Sequence, residues 1–278
     1  MIITRTPFRL SFLGGGTDYP EWFEEHGGAV LATTIDKYCY VMLHNGKVYH
    51  TFDLPTKSGL GTSSAYTVGL LRACTAFDKE MIAKLATEWE RDKLGGNVGC
   101  QDQYLCSVGG FHLLHFYAGG IVDVPVNIIG FEDCLMLFDT HQSRLAGNIV
   151  SYQLKRIKQN KNALLRMMGM AKEGMGLLSL RNFVGFGELV AESWELKKSL
   201  DKHISTPFID NIYSKALANC AIGGKLLGAG GGGFMLFVVK PENQQSVRDA
   251  LNELTYVPFK FETEGTAVIY DEGRNKDS

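Results

Sequence analysis

Apolar residues follow two different periods along this chain, and the switch between them divides it. Up to about residue 128 most of the pattern suits strands. "ITRTPFRLSF" and "AVLATTIDKYCYVML" are rich in the β-branched and aromatic residues that fit a pleated surface, the second long enough for one strand or two. "FHLLHFY" and "GIVDVPV" alternate like a hairpin around Ala118, Gly119 and Gly120. Two helices interrupt them, "TSSAYTVGLLRACTAF" and "KEMIAKLATEWERDKL". In the latter Ile82, Leu85, Ala86 and Trp89 recur at i, i+3, i+4 and i+7, so one face is buried.

From "CLMLFDT" onward the texture changes. One strand leads into helical stretches over 143–180, 183–200 and 207–222. A glycine-dense loop "GGKLLGAGGGGF" follows, then the strand "FMLFVV", a helix from Pro241 and two closing strands, "YVPFKF" and "TAVIY". The change falls near Pro125 and Gly130 and predicts two domains, 1–128 and 129–278, of the α+β class.

Composition narrows the function classes. With 45% hydrophobic and 21% charged residues, the 278-residue chain is globular rather than disordered. A formal net charge of −2 gives no electrostatic reason to expect nucleic acid or a membrane surface as partner. The basic run "QLKRIKQNKNALLR" reads as a solvated helix face. No segment reaches the roughly 18–20 apolar residues of a bilayer span, and "MIITRTPFRL" does not read as a signal peptide. Six cysteines without a CxxC pair suit reduced thiols, and a cytoplasmic location is expected.

Four stretches could carry chemistry. Gly59, Leu60, Gly61, Thr62, Ser63 and Ser64 open a helix, where free amides and the helix dipole favour an anion. A hydroxyl there could also serve Mg²⁺, a hard cation. An ordinary helix cap explains one hydroxyl but not the paired glycines, and both readings stand on this stretch alone. A Walker A loop is excluded, because its glycine-lysine step is missing. Gly228, Gly230 and Gly233 match the spacing of a dinucleotide fingerprint, but they run into a strand rather than opening a helix, so an NAD reading fails. "EWERDKLGGNVGCQDQY" sets Glu90 and Asp102 twelve residues apart around Gly95, Gly96 and Gly99. One carboxylate for a metal and one for a hydroxyl is what phosphoryl transfer requires, although two solvated surface acids would look alike. Finally, "RTPFRLSFLGGGTDYPEW" places Arg9 on a strand and Asp18 after a glycine turn, where it could accept from sugar hydroxyls or form a local turn.

Taken together, "RTPFRLSFLGGGTD", "PTKSGLGTSSA" and "GGKLLGAGGGGF", in this order, resemble the three motifs of the GHMP kinases. "ERDKLGGNVGCQDQY" and "SWELKKSLDKHIS" look most like the D-glycero-D-manno-heptose 7-phosphate kinases within that superfamily, and fucokinase domains share several of these features. The resemblance implies an N-terminal domain of the ribosomal protein S5 domain 2-like type and a C-terminal ferredoxin-like domain. ATP and Mg²⁺ would lie in the cleft between them. It implies that Gly59 to Ser64 wrap the triphosphate with Gly230 and Gly231 beside them, and that Ser63 and Glu90 bind the metal. Asp102 would be the base and Arg9 its cationic neighbour. Gly15, Gly16, Thr17, Asp18, Gly228 and Arg144 would contact the sugar or sugar phosphate. Lys198 and Lys225 are further candidates for a substrate phosphate, and His141 for substrate contact. The implied reaction moves the γ-phosphate to C1 of a heptose 7-phosphate. The rivals are a free sugar such as fucose as acceptor, or a silent sensor on the same fold. A homodimer is left open. One departure stands out: between "MLHNGKVY" and "FDLPTKSG" the chain is several tens of residues shorter than the family pattern.

Overall fold

The first half of the chain is built around one strand of unusual length. A computed structural model describes residues 1–93, 98–142 and 146–273. It begins with β1 (Ile2–Leu13), α1 (Pro20–His26), β2 (Gly28–His44) and β3 (Lys47–Phe52). Then come α2 (Thr62–Cys74), α3 (Lys79–Glu88), α4 (Gln101–Val108) and the hairpin of β4 (Phe111–Tyr117) and β5 (Gly120–Pro125). β2 is a single strand of 17 residues because it is paired along its whole length. β1 covers one edge, and the other is shared by β4 at Gly28–Thr33, β10 (Phe261–Glu262) at Thr34–Ile35 and β3 at Cys39–His44. Every pairing is antiparallel, and the sheet order is β11-β1-β2-β4-β5 with β11 at Ala267–Asp271.

The second sheet has the order β7-β8-β6-β9, from β6 (Leu135–Asp139), β7 (Ala221–Leu226), β8 (Phe234–Val239) and β9 (Thr255–Tyr256). Its helices are α5 (Ala146–Lys155), α6 (Lys161–Ser179), α7 (Phe183–Leu200), α8 (Pro207–Ala218) and α9 (Gln244–Ala250). The pattern break near residue 128 separates the two sheets as far as β9, after which β10 and β11 cross back to the first sheet.

Strand periodicity on β1 explains how core and cleft share one element. Phe8, Leu10 and Phe12 alternate onto the core face, where Phe12 meets Phe111, Phe131 and Phe186 at ring-centroid distances of 5.4, 5.7 and 5.8 Å. Burying each such ring contributes about 2–3 kcal/mol. Arg9 and Ser11, on the alternate positions, face a cavity between the two sheets.

Three local expectations differ from the structure. The helix expected over 207–222 stops at Ala218, and "AIGGKL" is β7 rather than helix end and loop. Cys220 has a positive φ of 71°, which turns the chain, and a side chain at Gly223 would place its Cβ 2.0 Å from the Gly187 carbonyl of α7. Packing therefore demands glycine inside this strand, and glycine hides strand character from a propensity reading. The 143–180 stretch is two helices, separated by turns at 156–160. The short helices α1 and α4 were not expected at all, and α4 carries Asp102.

Candidate active site

The cavity has a volume of about 360 Å³ and draws its walls from all three glycine motifs. The first motif enters on β1 and its following turn, the second at the start of α2, the third in the β7–β8 loop. A tight approach joins the last two. A Cβ on Gly59 would lie 2.4 Å from the Leu227 carbonyl, and one on Gly228 would lie 2.4 Å from the Gly59 Cα. The Phe234 amide donates to the Ser58 carbonyl at 3.2 Å, which continues the seam.

At the start of α2 the serines and threonine are not caps. Gly61 holds the N-cap position with φ of 71°, and no side chain caps the helix. The amides of the first turn are thus available to an anion, with the dipole behind them. The three hydroxyls have separate duties. Thr62 accepts from the Lys57 amide at 3.2 Å, Ser64 donates to Glu90 at 3.0 Å, and exposed Ser63 lines the cavity.

Below this helix lies the strongest polar contact of the site. Arg9, only 5% exposed, grips Asp102 through Nε to Oδ1 and Nη2 to Oδ2, both at 2.7 Å. Its Nη1 donates to the Gly59 carbonyl at 2.5 Å. Burial opposes the guanidinium charge, but the adjacent Asp102 outweighs it and holds Arg9 above its ordinary value. Two parallel charge-assisted bonds fix the carboxylate in orientation as well as place.

The other two carboxylates sit in drier surroundings. Glu90, 3% exposed, accepts from Thr67 at 2.8 Å, Ser64 at 3.0 Å and Gln103 at 2.6 Å. Burial raises its pKa, and these three bonds oppose the rise. Asp18 is 2% exposed and accepts from the amides of Gly16 at 3.1 Å and Gln101 at 3.4 Å. Burial first, then the charge of Asp102, pushes Asp18 upward. A raised carboxyl contributes stability when protonated and loses it as pH climbs through the folded value. Asp18→Asn is therefore expected to raise Tm at pH 7.5, with the gap to the native protein closing under acid conditions. Melting curves against pH check this.

The cavity brings together most of the residues expected there. Gly15, Gly16 and Asp18 line it from the first motif, Gly59, Gly61, Thr62, Ser63 and Ser64 from the second, and Gly228 and Gly230 from the third. Glu90 and Asp102 complete it. Three candidates stand off. Leu60 is fully buried in the core and offers its carbonyl to the Arg9 amide. Thr17 is a clamp: its hydroxyl donates to the carbonyls of Gly14 at 2.8 Å and Ala29 at 3.1 Å. Gly231 spends its amide on the Ile204 carbonyl at 2.9 Å. Arg144, Gly95 and Gly96 lie outside the described residues.

Among the basic candidates, Lys198 turns away, pairing with Glu195 at 2.8 Å, and His141 sits off the cavity between Asp139 and Thr255. Lys225 does line the cavity, and so does Lys197, which sequence reasoning passed over. Helix phase could have found it. Phe186, Val190, Ser193, Trp194 and Leu200 form the buried face of α7, and Lys197 falls on that face while Lys198 does not.

Similarity to known proteins agrees with this geometry. The model of the GHMP kinases N-terminal domain matches residues 29–110, and that of the GHMP kinases C-terminal domain matches residues 175–256. The D-glycero-α-D-manno-heptose 7-phosphate kinase of Campylobacter jejuni is 30% identical, over 95% of this chain and 97% of its own. That alignment runs over 331 positions, more than the 278 residues here, so the relative carries segments without a counterpart in this chain. The fucokinase/L-fucose-1-phosphate guanylyltransferase of Bacteroides fragilis is 31% identical over 72% of this chain but only 23% of its own length. Among solved structures, a D-glycero-D-manno-heptose 1-phosphate kinase from Bacteroides thetaiotaomicron superposes with a TM-score of 0.77 at 23% identity, covering 98% and 100% of the two chains. The chain belongs to the GHMP kinases and has their two-domain fold. It is a sugar kinase, a phosphotransferase with an alcohol group as acceptor, and members of the family draw the phosphate from ATP. Among the described residues, no helix is long and apolar enough to cross a membrane.

Proposed function

We propose that this kinase phosphorylates the C1 hydroxyl of D-glycero-D-manno-heptose 7-phosphate, giving the 1,7-bisphosphate. The carrying observation is the bidentate Arg9–Asp102 pair, placed between the uncapped start of α2 and the Asp18 turn in one cavity. The near-full-length match to a heptose 7-phosphate kinase supports the choice of sugar.

In this reading the first-turn amides of α2 and the Gly59–Gly61 backbone hold the triphosphate. Asp18 and the Gly15–Gly16 backbone orient the sugar. Arg9 holds and aims the Asp102 carboxylate, and Asp102 takes the proton of the acceptor hydroxyl as that hydroxyl oxygen bonds to the γ-phosphorus and ADP leaves. Ser63 and Glu90 suit Mg²⁺, since both are oxygen donors on the same cavity and Glu90 is held in place by three hydrogen bonds. When bound there, Mg²⁺ supplies positive charge to the β- and γ-phosphate oxygens.

An assay of ADP release across heptose 7-phosphate, fucose, mannose and galactose tests the proposal. The heptose phosphate is expected to exceed each free sugar in kcat/KM by about 10²-fold or more, since unmatched buried polar groups penalise the wrong substrate. Comparable turnover of fucose would move the assignment to an unphosphorylated sugar.

A further inference from the structure

The chemistry above leaves two buried lysines of the cavity without a task. Lys197 on α7 and Lys225 on β7 both line it, 8% and 3% exposed. Their acceptors are backbone carbonyls. Lys197 donates to Leu226 at 3.3 Å and to Gly228, and Lys225 donates to Phe12 at 2.7 Å. An ammonium has three N–H groups. One on Lys197 and two on Lys225 therefore meet no acceptor among the described residues, and neither lysine has a carboxylate partner among them. Burial, and then the charge of Arg9, lowers Lys197 to about 7, and burial lowers Lys225 well below the ordinary lysine value with Lys197 and Arg9 adding to it, so the charged form of each waits on an anion.

This arrangement is costly for an unliganded protein. Arg9, Lys57, Lys197 and Lys225 all line one cavity, and among the described residues only Arg9 of these is paired with a carboxylate. Were the lysines there only to tie down carbonyls, a neutral amide would serve without the repulsion. A second observation points the same way. The Ser11 hydroxyl, on the strand that carries Arg9, lines the cavity and is buried without a hydrogen-bond partner. It neighbours Phe12, whose carbonyl holds Lys225. Lys197, for its part, holds Gly228, which abuts Gly59 of the second motif. The two ammonium groups thus lie between the triphosphate loop and the strand of the Arg9–Asp102 pair.

We propose that Lys197 and Lys225, together with the Ser11 hydroxyl, form a binding subsite for a phosphoryl dianion. The inference rests on the phosphotransferase class and not on which sugar is the acceptor. Two phosphoryl groups have this chemistry, the γ-phosphate of the nucleotide and the phosphate carried by the sugar, and binding experiments separate them.

Lys197→Gln and Lys225→Gln keep a donor for the carbonyls and remove the charge. Thermal unfolding of the full chain should show both variants melting at or above the native protein at pH 7.5, because a buried lysine that folding holds below its ordinary protonation is gone. Inorganic phosphate should raise Tm of the native protein and not of the variants. In calorimetric titrations a γ-phosphate occupant predicts about a tenfold or greater loss of affinity for β,γ-imido-ATP with ADP unchanged. A sugar-phosphate occupant predicts the same loss for heptose 7-phosphate with the free sugar unchanged. Variants that keep the native response to phosphate, imido-ATP and heptose 7-phosphate would overturn the subsite and leave the lysines as carbonyl clamps. Ser11→Ala makes the same test with a smaller lesion: a weaker phosphate response supports the subsite, and an unchanged one removes it. Absence of heptose turnover alongside an intact phosphate response would count against the choice of acceptor and not against the subsite.

Discussion

Asp102→Asn is expected to lower kcat by about 10²-fold or more while nucleotide affinity changes by no more than about twofold. The substitution keeps the size of the side chain and one oxygen, so the α4 backbone has no reason to move. What it removes, on the proposed mechanism, is the proton acceptor. It also turns an amide N–H₂ toward one donor of Arg9, where two donors now face each other. Arg9 is nearly buried, so its loss of half a partner costs stability, at about 3 kcal/mol or somewhat less because the Asp102 side chain is 24% exposed. Kinetics must accordingly be read below the lowered Tm. Near-native kcat in a folded variant would take Asp102 out of the chemistry. A parallel loss of nucleotide affinity would mean that the lesion had spread through the Arg9–Gly59 bond.

The second large effect belongs to a residue with no side chain. Gly59→Ala should reduce kcat/KM for ATP by about 10²-fold, since catalytic alignment is lost with displacements near 1 Å. Gly59 has φ of 82°, a conformation that costs an alanine about 1–2 kcal/mol. Its new Cβ would also stand 2.4 Å from the Leu227 carbonyl, so the second and third motifs would have to part. Parting them moves the loop that opens α2 and releases Gly228 from its partner at once. Gly119→Ala in the β4–β5 turn is the control, because a Cβ there meets nothing within 4 Å. Equal losses in both variants would show that general instability, and not the seam, sets the effect.

Much of this site was legible because its chemistry is written in short local runs. Arg9, Asp18, Gly59, Gly61, Thr62, Ser63, Ser64, Glu90 and Asp102 all stand in motifs whose spacing is fixed by turns, and the structure gathers them in one cavity. Residues whose role depends on packing were harder to read. Lys197 and Lys198 are equivalent in composition, and only the phase of α7 sends one inward. Thr17 and Leu60 stand inside motifs yet serve the backbone and the core, a distinction that depends on contacts far away in sequence. In the fold, β7 is hidden from a propensity reading because its glycines answer to packing, Gly223 against α7 and Gly224 against β8. The helices α1 and α4, of seven and eight residues, are too short to show a periodic stripe.

The return of the chain to its first sheet has a consequence in time. Ile2 lies opposite Asp271 and Arg5 opposite Ala267, so β1 gains its outer neighbour only once residues 267–271 have been made. During synthesis the first 260 residues can form the second sheet and its helices, while β1 presents an unpaired edge, a template for wrong partners. Closing that edge joins residues more than 260 positions apart, among the slowest kinds of contact to find. The first sheet of this kinase is therefore closed late, by a strand of five residues that contributes nothing to the cavity itself.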